Sequence, residues 1–188
     1  MTADLPGPDQ PAPLPLIRRE LLTFRAHHPR WAFAPTSGEG AARRGGRFNP
    51  PGTPALYTSL TPTTAWMEAQ QGLPYKAQPM TLVAYRVNCA ALIDLTHAPT
   101  LAALGIAADV LATPWEDLAS CGIESPTWIL ARRLIGAGAA ACLAPSFAPG
   151  VGPQDRNLIL WRWQAQDDCR VEVIDDLGRL PKDDRSWG

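Results

Sequence analysis

Several stretches of the chain hold residue types that can do chemistry. The most prominent is Gly45-Gly46-Arg47-Phe48-Asn49-Pro50. Glycines let a backbone approach a ligand closely, and Arg47 presents a planar fork of donors suited to phosphate or carboxylate. Arg43 and Arg44 add positive charge to the same stretch. It lacks the G-K-[ST] of a Walker-A loop, and its composition also fits a solvated loop turned at Asn49-Pro50. A carboxylate follows at Glu68. Helical spacing puts Glu68 on one face with Thr61, Thr64, Ala65 and Gly72, all small enough to leave room for a ligand. The plainer reading is an exposed glutamate. Trp66 falls on another face and is expected to pack against the sheet. Tyr57 can stack on a flat ring or fill the core. Arg25, flanked by apolar residues, needs an acid or a bound anion if buried, and is otherwise a surface residue. Ser146 stands where a small-residue strand gives way to a loop, a place where sites often form. Asn157, Trp161 and Trp163 read first as sheet residues. His27-His28 has no partner at metal-ligand spacing, so no metal is expected.

The elements that must position these residues follow from local signals. Leu16 to Arg25 reads as a first strand, and Ala26 to Pro54 as a long loop, functional or disordered. Ala55 to Ser59 is a short strand. Thr61 caps a helix with Pro62 at its first position, running to about Gln71 with Gly72 as the stop. Thr81 to Val87 alternates as a strand does, and Leu92 to Leu95 follows as a brief one. Two short helices are expected around Pro99 and Pro114. Ser125-Pro126 opens another that ends at Gly136 or Gly138. Ala139 to Ala144, Asn157 to Trp163 and Arg170 to Ile174 read as strands, with a second long loop over 145–156. Strands that follow one another directly give an α+β class with a mixed sheet and short flanking helices, not a βαβ alternation. The expected division is a Pro-rich arm over 1–15, one catalytic domain over 16–177 and a charged, fraying tail over 178–188.

Composition sets limits. The 188 residues are 46% hydrophobic and 19% charged, enough apolar material for one real core. A net charge of −1 disfavours a nucleic-acid binder, which needs a basic surplus. The four cysteines stand singly, without a C-x-x-C pair; three lie in apolar or mixed surroundings, and the reading is of buried thiols in a reducing compartment. No secretory signal opens the chain, and the longest apolar run, Leu134 to Pro145, is too short to span a bilayer. A cytoplasmic protein without membrane attachment is expected.

The run from Ser37 through Gly45-Gly46-Arg47-Phe48-Asn49-Pro50, then Ala55-Leu56-Tyr57-Thr58-Ser59, then the helix with Glu68, then Pro145-Ser146, resembles the RES-domain toxins. That family is named for an arginine, a glutamate and a serine. The resemblance covers roughly residues 22–163. It implies a fold similar to ADP-ribosyltransferases, an enzyme that consumes NAD+ as its substrate, and an antitoxin partner with an Xre-like DNA-binding region. By position it makes Arg47, Glu68 and Tyr57 catalytic, and gives NAD+ binding to Arg25, Arg47, Tyr57, Ser146 and Asn157. Phe48 departs from the commoner tryptophan, and the family's frequent Asn-Pro ending is missing after Asn157. Trp66 occupies the position, two before Glu68, where protein-modifying transferases orient an acceptor. This tilts the expectation towards NAD+ degradation, with ADP-ribose passed to water or phosphate. Transfer to a protein is the alternative, and a non-catalytic binding module the third.

Overall fold

The computed structural model describes residues 13–70 and 78–185. Among them are strands β1 (Ile17–His27), β2 (Leu56–Ser59), β3 (Thr81–Asp94), β4 (Ala141–Pro145), β5 (Arg156–Leu160) and β6 (Cys169–Ile174). Helices α1 (Glu39–Arg44), α2 (Pro62–Ala69), α3 (Ala98–Leu104), α4 (Trp115–Ser120) and α5 (Pro126–Gly136) lie between them, with 3-10 segments at Pro29–Trp31 and Ala108–Ala112. The strand order is β1-β2-β5-β4-β3-β6, and β1 also pairs with β3, so the ladder returns to its start. Every pairing is antiparallel except β3 with β4. The class is α+β with a mixed sheet, as the order of elements implied.

β3 makes the closure possible. Its 14 residues pair with β1 from Thr81 to Leu92. They also pair with β6 over Ala84–Cys89 and with β4 over Leu92–Asp94. The brief strand expected at Leu92 is therefore the end of β3. The ring is narrowest between β1 and β2, which share the pair Phe24↔Ser59.

Alternation along β4 and β5 divides two cores. Leu56, Ala141, Leu158 and Leu160 face the β1–β3–β6 side with Val83, Tyr85 and Val87. Cys142, Ala144 and Ile159 face the helices with Leu130, Ala131 and Leu134 of α5. A strand buried on both faces reads as a continuous apolar run, which is why Ala139–Ala144 and Leu158–Trp161 lack polar positions. Trp66, expected against the sheet, is half-buried and joins neither cluster among the described residues.

The capping signals act as read. Thr61 Oγ1 accepts from the Thr64 amide, and Ser125 Oγ accepts from the Thr127 amide, each followed by a proline in the first turn. α2 closes at Gln70. Gly72, expected as its stop, and residues 1–12 of the arm lie outside the described residues. Leu14, from the same arm, packs on the helix-side core. The loop over 26–54 carries more structure than its composition suggests, since Arg43 and Arg44 form the last turn of α1. At the other end, Asp175 accepts from the amides of Arg179 (2.7 Å) and Leu180 (3.0 Å), and Leu180 packs on the second core. The start of the expected tail, at Arg179 and Leu180, is thus held to the domain. The thiol reading also changes. Cys142 is buried and Cys121 exposed, and the register sets Cys89 opposite Cys169 with their sulfur atoms in contact. No helix of the described residues is long and apolar enough to cross a membrane.

Candidate active site

A cleft of about 460 Å³ gathers Arg25 from β1, Gly45–Phe48, Tyr57 from β2, Glu68 from α2, Glu116 from α4 and Asn157 from β5. Its floor is a loop pinned by side-chain donors and acceptors. The indole N–H of Trp128 donates to Gly46 O (2.7 Å), and that of Trp161 donates to Phe48 O (2.9 Å). The Phe48 amide donates to the Tyr57 hydroxyl (2.9 Å), which donates in turn to Asn49 Oδ1 (2.7 Å). Asn49 Nδ2 reaches the carbonyls of Ala41, Pro50 and Thr53. A Cβ at Gly46 would stand 2.6 Å from Tyr57 Oη and 2.8 Å from Asn49 Oδ1, so this close approach admits only glycine. Burial pushes the Tyr57 phenol far up, which keeps it neutral.

That pinned loop aims Arg47. Its Nη1 donates to Thr113 O (2.5 Å) and Leu111 O (3.2 Å), and its guanidinium lies 4.4 Å from the centre of the Phe147 ring. Burial lowers its pKa, while Glu68, Tyr57 and Glu116 pull the other way. An arginine so placed remains a cation. Arg25 is held similarly. Its Nη1 donates to Ser37 O (2.9 Å) and Pro35 O (3.1 Å). The Tyr85 hydroxyl also donates to Pro35 O, and burial pushes Tyr85 up to about 12. Arg25 is thus part-buried, and its Nη1 meets backbone carbonyls rather than an acid.

Glu68 Oε1 accepts from Ser146 Oγ (2.5 Å) and from Asn157 Nδ2 (2.5 Å). Asn157 Oδ1 accepts from Ser59 Oγ (2.7 Å), its cross-strand partner on β2. Three elements and a loop therefore converge on one carboxylate. Ser146 is only 8% exposed, so its hydroxyl serves Glu68 from below the cleft.

Arginine, glutamate and serine separated widely in sequence are now in one place. The sequence pattern of the RES domain matches residues 22–183. The chain belongs to the RES-domain family. A solved structure described as the M. tuberculosis MbcT–MbcA toxin–antitoxin complex contains a chain of the same fold. The TM-score is 0.52 and the identity 20%, over 85% of this chain and 86% of that one. No curated protein matches.

Within the RES domain, Arg25, Arg47, Tyr57, Glu68 and Asn157 all line the cleft, and Ser146 touches it through Glu68. Arg43 turns away, paired with Glu39 at 3.1 Å, while Arg44 lines the cleft. The charge expected from three arginines on one loop thus comes from the end of α1 and the loop after it. Sequence reading missed Ser59, Phe147, Trp115 and Glu116. Phe147 sits beside Ser146 in the chain, a signal within reach. Ser59 and Glu116 carry no local signal, since only the fold brings them to the cleft. Among the described residues, no three His, Cys, Asp or Glu side chains gather as metal ligands.

Proposed function

We propose that this RES domain, with a fold of the ADP-ribosyltransferase kind, is the toxin of a toxin–antitoxin pair. Its reaction is cleavage of the nicotinamide–ribose bond of NAD+. The observation that carries the reading is the Glu68 carboxylate, held by Ser146 and Asn157 in a cleft that also receives Arg47 and Arg25. A dinucleotide needs cations for its diphosphate and a carboxylate near the ribose, and the cleft offers both. When the C–N bond breaks, its electron pair goes to the nicotinamide ring, which leaves neutral, and positive charge develops on the ribose. Glu68, oriented before reaction, stabilises that charge. Water or phosphate then attacks the ribose carbon, and water loses a proton as ADP-ribose forms. Tyr57 contributes its ring face, because both functions of its hydroxyl are engaged by the loop. The toxin chain of the similar structure is solved with an antitoxin, which supports a protein partner for this chain. An Xre-like DNA-binding antitoxin and a cytoplasmic site of action complete the proposal.

The test is incubation of the purified, folded protein with NAD+, with and without phosphate, followed by mass spectrometry. Release of nicotinamide with ADP-ribose or its phosphate is expected, and Glu68→Gln should abolish it. Intact NAD+ after prolonged incubation overturns the reading. Loss of NAD+ only when a second protein is present and gains mass would favour transfer to protein, against which Trp66 stands two residues before Glu68.

A further inference from the structure

One polar cluster beside the cleft has no part in the reaction just described. Asp155 ends the loop that begins at Ser146. Its Oδ1 accepts from Thr64 Oγ1, and its Oδ2 accepts from the Gly152 amide (2.7 Å). Its backbone carbonyl accepts from the Ser146 amide (3.0 Å). Thr64 is 1% exposed and lies one turn before Glu68 on α2. Its hydroxyl also meets that of Thr61 at 2.7 Å. A hydroxyl has one proton, and a carboxylate only accepts. Thr64 therefore gives its proton to Asp155, and the proton between the two threonines comes from Thr61. The chain of donors runs one way, from the cap of α2 into the loop. The two hydrogen bonds hold the Asp155 carboxyl below its ordinary range, with Arg156 adding to the effect.

Residues four apart share a helix face. On α2 that face grips the loop twice, at Thr64 through Asp155 and at Glu68 through Ser146 and Asn157. The first grip determines where the second can form. Ser146 is tied to Asp155 through the backbone, and Asn157 follows Asp155 by two residues on β5.

We propose that Asp155 and Thr64 are positioning residues: their hydrogen bond fixes the 146–155 loop on α2, so that Ser146 and Asn157 meet the Glu68 carboxylate. The proposal rests on Glu68 as the catalytic group. Release of this clamp leaves the cleft, its arginines and Glu68 in place, but loosens the donors that orient the carboxylate. Loss of orientation at a catalytic group falls on kcat, and a displacement of about 1 Å can cost roughly a hundredfold.

The test uses Thr64→Val, which keeps the shape and removes the hydroxyl, Thr64→Ser, which restores it, Asp155→Ala and the double variant. NAD+ turnover and thermal stability are measured for each. Thr64→Val and Asp155→Ala should lower kcat roughly tenfold to a hundredfold, with KM within about twofold. Thr64→Ser should retain activity, and the double variant should be no worse than the poorer single one. Unchanged kcat in folded Asp155→Ala, or losses that multiply in the double variant, overturns the proposal. A merely structural role would lower thermal stability without this pattern. Should Thr64→Val not fold, Asp155→Ala and Thr64→Ser decide the matter. Amide hydrogen exchange needs no substrate. Exchange at Gly152 and Ser146 should quicken in Asp155→Ala, while Tyr85 and Val87 in β3 stay as in the wild type. Unaltered exchange at Gly152 and Ser146 sinks the clamp. Intact NAD+ with the wild-type protein sinks the proposed function instead, and the clamp is then judged on exchange.

Discussion

Ser146 and Asn157 hold Glu68 through the same oxygen, but they differ in what stands behind them. Asn157 is itself held by Ser59, so its amide cannot rotate without breaking a second hydrogen bond. Hydrogen bonds to a charged group contribute about 1.5–3 kcal/mol, which corresponds to roughly ten- to a hundredfold in rate if the orientation serves the transition state. Asn157→Ala is therefore expected to lower NAD+ turnover by about that factor. Ser59→Ala, which leaves the direct contact and loosens its backing, should cost several-fold less. Steady-state kinetics on both variants checks the order, and an equal or larger loss in Ser59→Ala would count against a relay through Asn157. Glu68 was legible in the sequence because capping residues announce its helix and small neighbours mark its face. Ser59 was not, because its partner lies 98 positions away and is brought to it by the β2–β5 register.

The Gly45–Pro50 segment owes its shape to neighbouring elements, and that makes it sensitive to changes far from Arg47. Tyr57→Phe keeps the ring in the cleft but removes the hydroxyl that accepts from Phe48 and donates to Asn49. An orphaned buried donor costs about 1–3 kcal/mol. A change of 1 kcal/mol moves the midpoint of a domain this size by about 2–4 °C, so thermal unfolding of Tyr57→Phe should begin several degrees lower. A midpoint equal to that of the wild type would show that the loop does not depend on this bond. Gly46→Ala should be at least as damaging, because the added carbon overlaps both members of the Tyr57–Asn49 pair. Both variants belong in the same scanning-calorimetry series. Proline after a capping residue made α2 and α5 legible from sequence. Nothing comparable marks α1, whose cap is Gly38 without a side-chain hydrogen bond. Of the two tryptophans that pin the loop, Trp161 read only as a sheet residue and Trp128 drew no reading, because an indole donor shows its partner only when the fold is closed.

At the scale of the whole molecule, the nearly neutral charge conceals the way individual groups respond to acid. His27 ends β1, its Nδ1 lies 3.1 Å from His28 O, and its Nε2 is buried without a hydrogen-bond partner among the described residues. Burial lowers its pKa from the ordinary 6.5, helped by the charges of Arg25 and His28 and opposed by the backbone contact. The folded protein thus resists a proton that the unfolded chain takes up. Stability is full above pH 6.5 and falls as the pH drops through the lower, folded value. Asp155 behaves in the same sense in a lower window. Its carboxyl is held below the ordinary 3.8, so the stability it contributes is present above that value and is lost as acid protonates it in the folded state. Two separate declines in unfolding temperature are therefore expected, one below about pH 6.5 and one below about pH 4. His27→Gln removes the titrating ring and should flatten the upper decline while leaving the lower one in place. Asp155→Ala should reduce the lower decline, to which Asp175 and Asp183 also contribute, and leave the upper one in place. Thermal melts of the three proteins between about pH 3 and 8 read both effects at once. An upper decline that survives in His27→Gln would assign it to another group and remove His27 from the account of acid sensitivity.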